Sequence, residues 1–211
     1  MSAASRAPLR SAARTARPRR RAALTAVAGS AAVLLMSACT SGGTSGGGGD
    51  TNFVMGKDGI STAKKGERAA APDLSGNTLD GKPLDVASYK GDIVVLNVWG
   101  SWCAPCRAEA PNFQKVSADL AADGVRFVGI NTADTSVDNA VAFEKDYGVT
   151  YPSLYDPAGK LMLRFKKGTL NPQAIPSTLV LDRDGKIAAR SLAALSEEKL
   201  RKMIAPVLAE K

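Results

Sequence analysis

The chain has 211 residues, 28 basic and 20 acidic side chains, no histidine and three cysteines. That length suits one domain plus accessory segments. The net charge of +8 does not imply nucleic-acid binding: seven arginines (Arg6, Arg10, Arg14, Arg17, Arg19, Arg20 and Arg21) precede Cys39 with no acid among them, and subtracting them leaves +1, so no basic stripe continues into the folded part.

Residues 1–21 are rich in Arg and Ala, and "AALTAVAGSAAVLLMSA" follows, apolar and uncharged, up to Cys39. A charged region, a short apolar region and a small-residue cleavage site read as an export signal. The apolar run is shorter than the ~20 residues a spanning helix needs, and Thr25, Gly29 and Ser30 dilute it. Its end, "LLMSAC", resembles a bacterial lipobox, with Ser37 and Ala38 small enough for the peptidase and Met36 where leucine is more usual. That resemblance implies a diacylglycerol on Cys39, which becomes the new N-terminus. The alternative is ordinary secretory cleavage that leaves a free thiol. The Arg20-Arg21 pair before Leu24 also fits a twin-arginine signal. Two acyl chains anchor stably where one is marginal, and an anchor at Cys39 leaves Cys103 and Cys106 as the thiols of the mature protein.

The expected organisation is a signal peptide over 1–38, a lipidated N-terminus and flexible Gly/Ser-rich linker over 39–70, and one domain over 71–211. From Thr40 to Ala71 a flexible chain spans on the order of 30 Å.

Within the domain, "GNTLDGKPLDVASYKGD" carries turn signals at Asp80-Gly81 and Gly91-Asp92 and reads as a short hairpin. "IVVLNVW" (93–99) is a continuous β-branched run, the mark of a strand covered on both faces. Cys103 to about Ala122 reads as a helix with Phe113, Val116 and Leu120 as its apolar stripe. "VRFVGIN" (125–131) reads as a second buried strand. Asp134 to Tyr147 reads as a helix capped by Asp134, Thr135 or Ser136. "STLVLD" and "KIAARS" flank Arg183-Asp184-Gly185 as a β-hairpin. Ser196 caps a last helix with Glu197 and Glu198 in its first turn, where the dipole favours acids, and Leu200, Ile204 and Leu208 as its apolar face. The order β-α-β-α-β-β-α predicts a central sheet, parallel at its start and antiparallel at its finish, with helices on both faces.

The chemistry concentrates in "WGSWCAPCR" (99–107). A structural zinc site wants four Cys or His ligands, and this chain has no histidine and no second C-x-x-C. A disulfide across three residues closes a tiny loop and is a poor staple, because stabilisation grows with loop size in the chain-entropy model. Electron transfer fits better. A strand feeding a helix through Gly100-Ser101-Trp102 puts Cys103 at the helix N-terminus, where unsatisfied N–H groups and the dipole favour a thiolate. Cys106 lies one turn later and beneath it, and Pro105 sets a helical φ early at little cost. Cys103 then attacks a substrate disulfide, a mixed disulfide forms, and Cys106 resolves it.

"VVLNVWGSWCAPCRAEAPNF" resembles the active-site stretch of the thioredoxin superfamily, specifically the TlpA/ResA-like membrane-tethered thiol–disulfide oxidoreductases. The resemblance covers about Ala71–Ala209 and includes the lead-in, the "VGINTADTSVDNAVAFEKDYGVTYP" insertion and "NPQAIPSTLVLDRDGKI". It implies a thioredoxin-like α/β fold, a central mixed β-sheet flanked by helices, with an N-terminal β extension and a TlpA-type insertion. Pro111 matches the family's helix-kinking proline, and Ile175-Pro176 its cis-proline loop. The resemblance makes Cys103 the nucleophile and Cys106 the resolving thiol, with Trp102, Pro105, Ile175 and Pro176 as substrate contacts. Trp102 reads as an exposed contact and Trp99 as core. Many thioredoxins have a buried aspartate six residues before the first cysteine; here Asn97 stands there, and an amide cannot relay a proton. Glu109 is the substitute candidate for that relay, against the more economical reading of a solvated helix carboxylate beside Arg107.

The implied function is an extracytoplasmic, membrane-tethered reductant of disulfides in exported proteins such as apocytochromes c. It implies a monomer fed by a membrane thiol-electron donor, with no cofactor, no metal and no nucleic acid. No C-x-x-C-H occurs, so the chain does not itself carry haem. The competing readings are a disulfide-forming oxidant, a peroxiredoxin-like thiol peroxidase, and a non-enzymatic tethered binding module. Peroxiredoxins typically have threonine three residues before the peroxidatic cysteine; here that residue is Gly100. Ala104-Pro105 does not fix the direction of exchange.

Overall fold

The computed structural model describes residues 51–210. The expected export signal, the expected lipobox at Cys39 and the Gly-rich stretch to Asp50 lie outside the described residues.

The run Ile93–Trp99 is the central strand of the sheet, and all seven of its residues are buried. The strands are β1 (Val54–Met55), β2 (Ile60–Thr62), β3 (Ser75–Asn77), β4 (Pro83–Asp85), β5 (Ile93–Trp99), β6 (Val125–Thr132), β7 (Ser153–Asp156), β8 (Ser177–Leu181) and β9 (Ile187–Ser191). The helices are α1 (Ala104–Leu120), α2 (Val137–Tyr147) and α3 (Glu197–Leu208). The main sheet has the order β1-β2-β9-β8-β5-β6-β7, and β3 and β4 form a separate hairpin. β5–β6 and β6–β7 are parallel, while β5–β8 and β8–β9 are antiparallel, so the mixed sheet has the expected parallel start and antiparallel finish.

Strand alternation sorts the core into two faces. Val95 of β5 and Val180 of β8 meet Phe113 and Val116 of α1 and Leu200, Met203, Ile204 and Val207 of α3. Trp99, on the same face, stacks on Phe143 of α2 with ring centroids 4.3 Å apart. All three α-helices therefore lie on one face, which corrects the expectation of helices on both. The opposite face, with Leu96, Val98, Val128, Leu154 and Leu179, is covered by Leu74, Val86, Leu161, Met162, Phe165 and Leu170. Those residues come from short 3-10 turns and loops, whose irregular spacing gives no periodic signal in the sequence.

Two further differences concern length. The sequence reading starts the fold at about Ala71, whereas β1 and β2 already belong to the sheet, β2 pairing antiparallel with β9. Arg68 is tied to Asp182 and Glu210 at 2.9 Å and 2.5 Å, fixing this N-terminal strap to the end of the domain. Backbone pairing, the Arg68 cluster and an Asp58–Lys202 ion pair hold the strap, with Ile60 and Ala63 its buried apolar residues, so hydrophobic patterning is nearly silent. The other difference is β7, "SLYD", which adds a parallel strand beyond β6. Four residues of mixed polarity carry neither alternation nor a β-branched run.

Candidate active site

β5 delivers the chain to the redox pair. Gly100 closes the strand, and Cys103 is the N-cap of α1, with extended backbone (φ −81°, ψ 107°) and a sulfur that accepts a hydrogen bond from the Cys106 N–H at 3.2 Å. The orphan amide of the first turn is thus spent on the nucleophile candidate itself. Cys103 and Cys106 are joined as a disulfide, their Cα atoms 5.2 Å apart. Cys103 is 4% exposed and Cys106 1%, with Trp99, Ala110, Ala140 and Phe143 packed around them. Pro105 stands in the first turn of α1, and the helix continues through Pro111.

The loop that carries Cys103 is gripped from two sides. The Asp134 carboxylate accepts from the Ser101 N–H at 2.9 Å, from the Ser101 hydroxyl, and from the Asn131 side-chain amide at 2.6 Å. Arg107 donates to the Ser101 carbonyl at 2.8 Å. Asp134 is 2% exposed, and Tyr155 donates its hydroxyl to the Asp134 carbonyl. Ala133, at φ +57°, takes the left-handed turn that swings Asp134 back toward Ser101. The sequence reading takes Asp134 as a possible helix cap; the cap of α2 is Ser136, which leaves Asp134 to the active-site loop. Gly100 belongs to the same turn. A Cβ there would sit 2.7 Å from Trp102 Nε1 and 3.1 Å from the Thr132 carbonyl oxygen, so a larger residue requires the Trp102 ring to move. Trp102 itself is 55% exposed, and Trp99 is 2% exposed.

Beneath the pair lies the second carboxylate. Glu109 is one turn beyond Cys106 and 2% exposed, not solvated, and Arg107 is engaged with Ser101 rather than with it. The reading of Glu109 as a solvated helix carboxylate is thereby corrected. The helix stripe set by Phe113 and Val116 extends back through Ala110 and Cys106, and Glu109 falls on its buried side. Glu109 Oε1 accepts from Asn97 Nδ2 at 2.8 Å, and Oε2 accepts from the Leu195 N–H at 2.9 Å. Burial pushes its carboxyl up to about 7, against the opposing pull of the Leu195 amide and the Asn97 side chain. Asn97 therefore holds a second buried acid, its side-chain amide donating to Glu109 of α1.

The third wall is the Ile175–Pro176 peptide, which is cis. Ile175 packs on the cluster that contains Cys103 and Cys106. In the antiparallel register Thr178 faces Ser191, so the turn after β9 with Leu192 (39% exposed) runs beside this loop. Neither Leu192 nor Asn131 carries a sequence signal that marks it for the site. Among the described residues no group of three or more His, Cys, Asp or Glu side chains converges as a metal site would.

With that geometry in hand, comparison with known proteins is direct. Residues 68–190 match the AhpC/TSA family. The thiol:disulfide interchange protein HelX of Rhodobacter capsulatus is 34% identical over 71% of this chain and 80% of its own. The crystal structure of a DsbF homologue from Corynebacterium diphtheriae superposes with a TM-score of 0.66 at 39% identity, covering 72% of this chain and 94% of that one. That of a secreted thiol-disulfide isomerase from Corynebacterium glutamicum gives 0.67 at 32% identity, covering 72% and 93%. The mixed sheet flanked by helices agrees with these relatives, and the chain belongs to the AhpC/TSA family as a thiol–disulfide oxidoreductase of the TlpA/ResA type.

Proposed function

We propose that the protein is a lipid-anchored, extracytoplasmic reductant that opens disulfides in exported proteins, apocytochromes c among them, and is itself re-reduced by a membrane thiol donor. The observation that carries the reading is the Cys103 sulfur at the N-cap of α1, with the Cys106 N–H donated to it. In the reduced protein the Cys103 thiolate attacks one sulfur of the substrate disulfide, and the other substrate sulfur leaves as a thiolate. Cys106 gives up its proton and attacks Cys103 Sγ. The Cys103–Cys106 disulfide forms, and the substrate departs with both sulfurs reduced.

Glu109 takes the Cys106 proton. It lies three residues on, on the same buried helix face, and a carboxyl near 7 is matched to proton transfer at neutral pH. Trp102, Pro105, Ile175 and Pro176 hold the substrate chain, and Asp134 holds the loop from which Cys103 attacks.

The reducing direction follows from what stabilises the thiolate. A strong oxidant such as DsbA owes its high potential to a stabilised reduced form. Here the sulfur of Cys103 receives one backbone N–H, the chain has no histidine, and Arg107 is committed to the Ser101 carbonyl. Buried Glu109 and Asp134 flank the pair, and negative charge disfavours a thiolate. The peroxidase alternative is disfavoured by Gly100, which stands where peroxiredoxins typically have threonine, and a side chain there would displace the Trp102 ring.

Cys39 is the anchor. The test is the equilibrium potential of the Cys103–Cys106 pair in thiol–disulfide buffers. A value near or below about −250 mV supports the reductant; a value near about −120 mV makes it an oxidant. Absence of a reversible two-electron step would remove the exchange reading altogether.

A further inference from the structure

Between Asp156, which ends β7, and Asp182, just past β8, the chain carries Lys160, Arg164, Lys166 and Lys167 and no acid. The connecting segment 157–176 holds one 3-10 turn, Met162–Arg164. A connection of that length inside a compact domain is uncommon and usually functional. Arg190 of β9 holds its middle through the Gly168 and Thr169 carbonyls, and its two ends are fixed by the sheet. It leaves β7 where Asp156 pairs with Thr132, and enters β8 where Ser177 pairs with Val98. Both junctions are at the end of the sheet that carries Gly100, Ser101 and the redox pair.

The side chains of the segment divide cleanly. Leu161, Met162, Phe165 and Leu170 are buried against the helix-free face of the sheet. Lys160, Arg164, Lys166 and Lys167 are exposed, and Leu163 stands among them at 72% exposure. Ile175 joins the segment to the chemistry: it packs on the Leu161–Leu170 cluster and on the cluster of Cys103 and Cys106. Arg164 leans on the Asp73 carbonyl at 2.9 Å, with the Asp73 carboxylate 3.8 Å away. Lys160, Lys166 and Lys167 make no ion pair among the described residues, whereas Lys82, Arg126 and Lys202 each lie 2.7–2.8 Å from an aspartate.

We propose that this segment is a docking rim for the disulfide partner and that it selects acidic polypeptides. Carboxylates flanking the partner's disulfide meet Lys160, Lys166 and Lys167, and an apolar residue covers Leu163. The rim therefore acts before the chemistry, raising the local concentration of acidic substrates at Cys103 and not the rate of exchange once bound. A bilayer surface fits the same charge but not the same place, because lipid pressed onto this rim would close the redox pair to a protein disulfide. The proposal rests on the exchange function above.

The experiment separates the two. Two synthetic peptides share one intramolecular disulfide and differ only in flanking residues, glutamates in one and lysines in the other. The second-order rate constant of each with the reduced protein is measured at low and high salt. The acidic peptide is expected to react about tenfold faster at low salt, with the ratio falling toward one near 1 M salt, where screening is within about 3 Å. In K166E/K167E the ratio is expected to fall to one or invert, and as a ratio within one protein it does not depend on how much of the variant folds. Equal rates for the two peptides with the unmodified protein, or a preference that survives the charge reversal, overturn the proposal. So does a reversal that leaves the peptide ratio intact while abolishing attachment to phosphatidylglycerol vesicles, which would make the rim a lipid contact. If neither peptide is reduced by the unmodified protein, the exchange function itself has failed.

Discussion

Two buried carboxylates flank the redox pair, and they are wired differently. Asp134 lies beside the loop before Cys103 and accepts three hydrogen bonds, two of them from Ser101. Glu109 lies under Cys106 and accepts two, from Asn97 on β5 and from the Leu195 amide in the β9–α3 turn. Both are 2% exposed. The bonds of Asp134 come from Ser101 in the loop and from Asn131 near the end of β6, so its work is to tie that loop to the sheet. The bonds of Glu109 come from a strand and a distant turn, and burial leaves its carboxyl near 7, able to exchange a proton at neutral pH. In the proposed reaction, rigidity is thus concentrated on the attacking side of the pair and proton traffic on the resolving side.

The largest expected effects fall on the sulfurs. Cys103→Ser abolishes turnover. Cys106→Ser leaves an attacking thiolate with nothing to resolve it, so mixed disulfides with substrate accumulate and appear as adducts on non-reducing gels and by mass. Turnover retained by either variant would dismantle the division between attacking and resolving sides. Next comes the proton. Glu109→Gln keeps the bond from Asn97 but cannot carry a proton from Cys106, and general-base catalysis of this kind is worth about 100-fold or more. Stopped-flow of the resolving step should show that loss near pH 7 and a shrinking difference at high pH, where Cys106 ionises unaided. A uniform loss across pH would make Glu109 structural and erase its contrast with Asp134.

Asp134 should behave in the opposite way. Asp134→Ala strands three donors in a buried site; at about 1 kcal/mol or more each, stability falls by about 3 kcal/mol, a drop in Tm on the order of 10 °C for a domain of this size. Asp134→Asn should restore most of it. Its carbonyl takes the place of Oδ2, facing the Ser101 N–H and the Asn131 amide, and its NH2 donates to the Ser101 hydroxyl. For a positioning residue the Ala variant also raises KM for a protein disulfide more than it lowers kcat, and the Asn variant recovers KM. A Tm loss without any change in KM would leave Asp134 with stability alone.

The sequence made one side of this site legible and hid the other. Cys103, Cys106 and the strand 93–99 announce themselves by spacing and by an unbroken β-branched run. Trp102 and Trp99 sort correctly into exposed and buried. The relatives agree with the resemblance read from "WGSWCAPCR" and "AIPST". Asp134 was hidden because Thr135 and Ser136 offer equally good caps, and only the left-handed Ala133 turns its carboxylate toward Ser101. Glu109 was singled out as a relay candidate but misjudged for its burial, since its bond from Leu195 comes from a turn that a local pattern cannot anticipate. The strap around β1 and β2 and the strand β7 escaped for a common reason: backbone pairing specifies them more than side-chain periodicity does.

The smallest effect is also the most specific to Glu109. Its carboxyl sits near 7 in the folded protein and near the ordinary 4.5 when unfolded. Between those values the folded state holds a proton that the unfolded state has released, so stability falls as pH rises. The contribution is complete below about pH 4.5 and is lost by the time pH passes about 7, at a slope of about 1 kcal/mol per pH unit. Glu144, whose carboxyl burial also pushes up, contributes a background of the same sign, and only a difference measurement removes it. Tm values of the protein and of Glu109→Gln at pH 5, 6, 7 and 8 provide that difference. The variant begins less stable at pH 5, because its amide cannot accept from Leu195 and leaves that N–H unpaired. The gap should then narrow through pH 7 and stay constant beyond it. Parallel curves would mean that Glu109 ionises like an exposed acid, and the assignment of proton traffic to the resolving side would lose its physical basis.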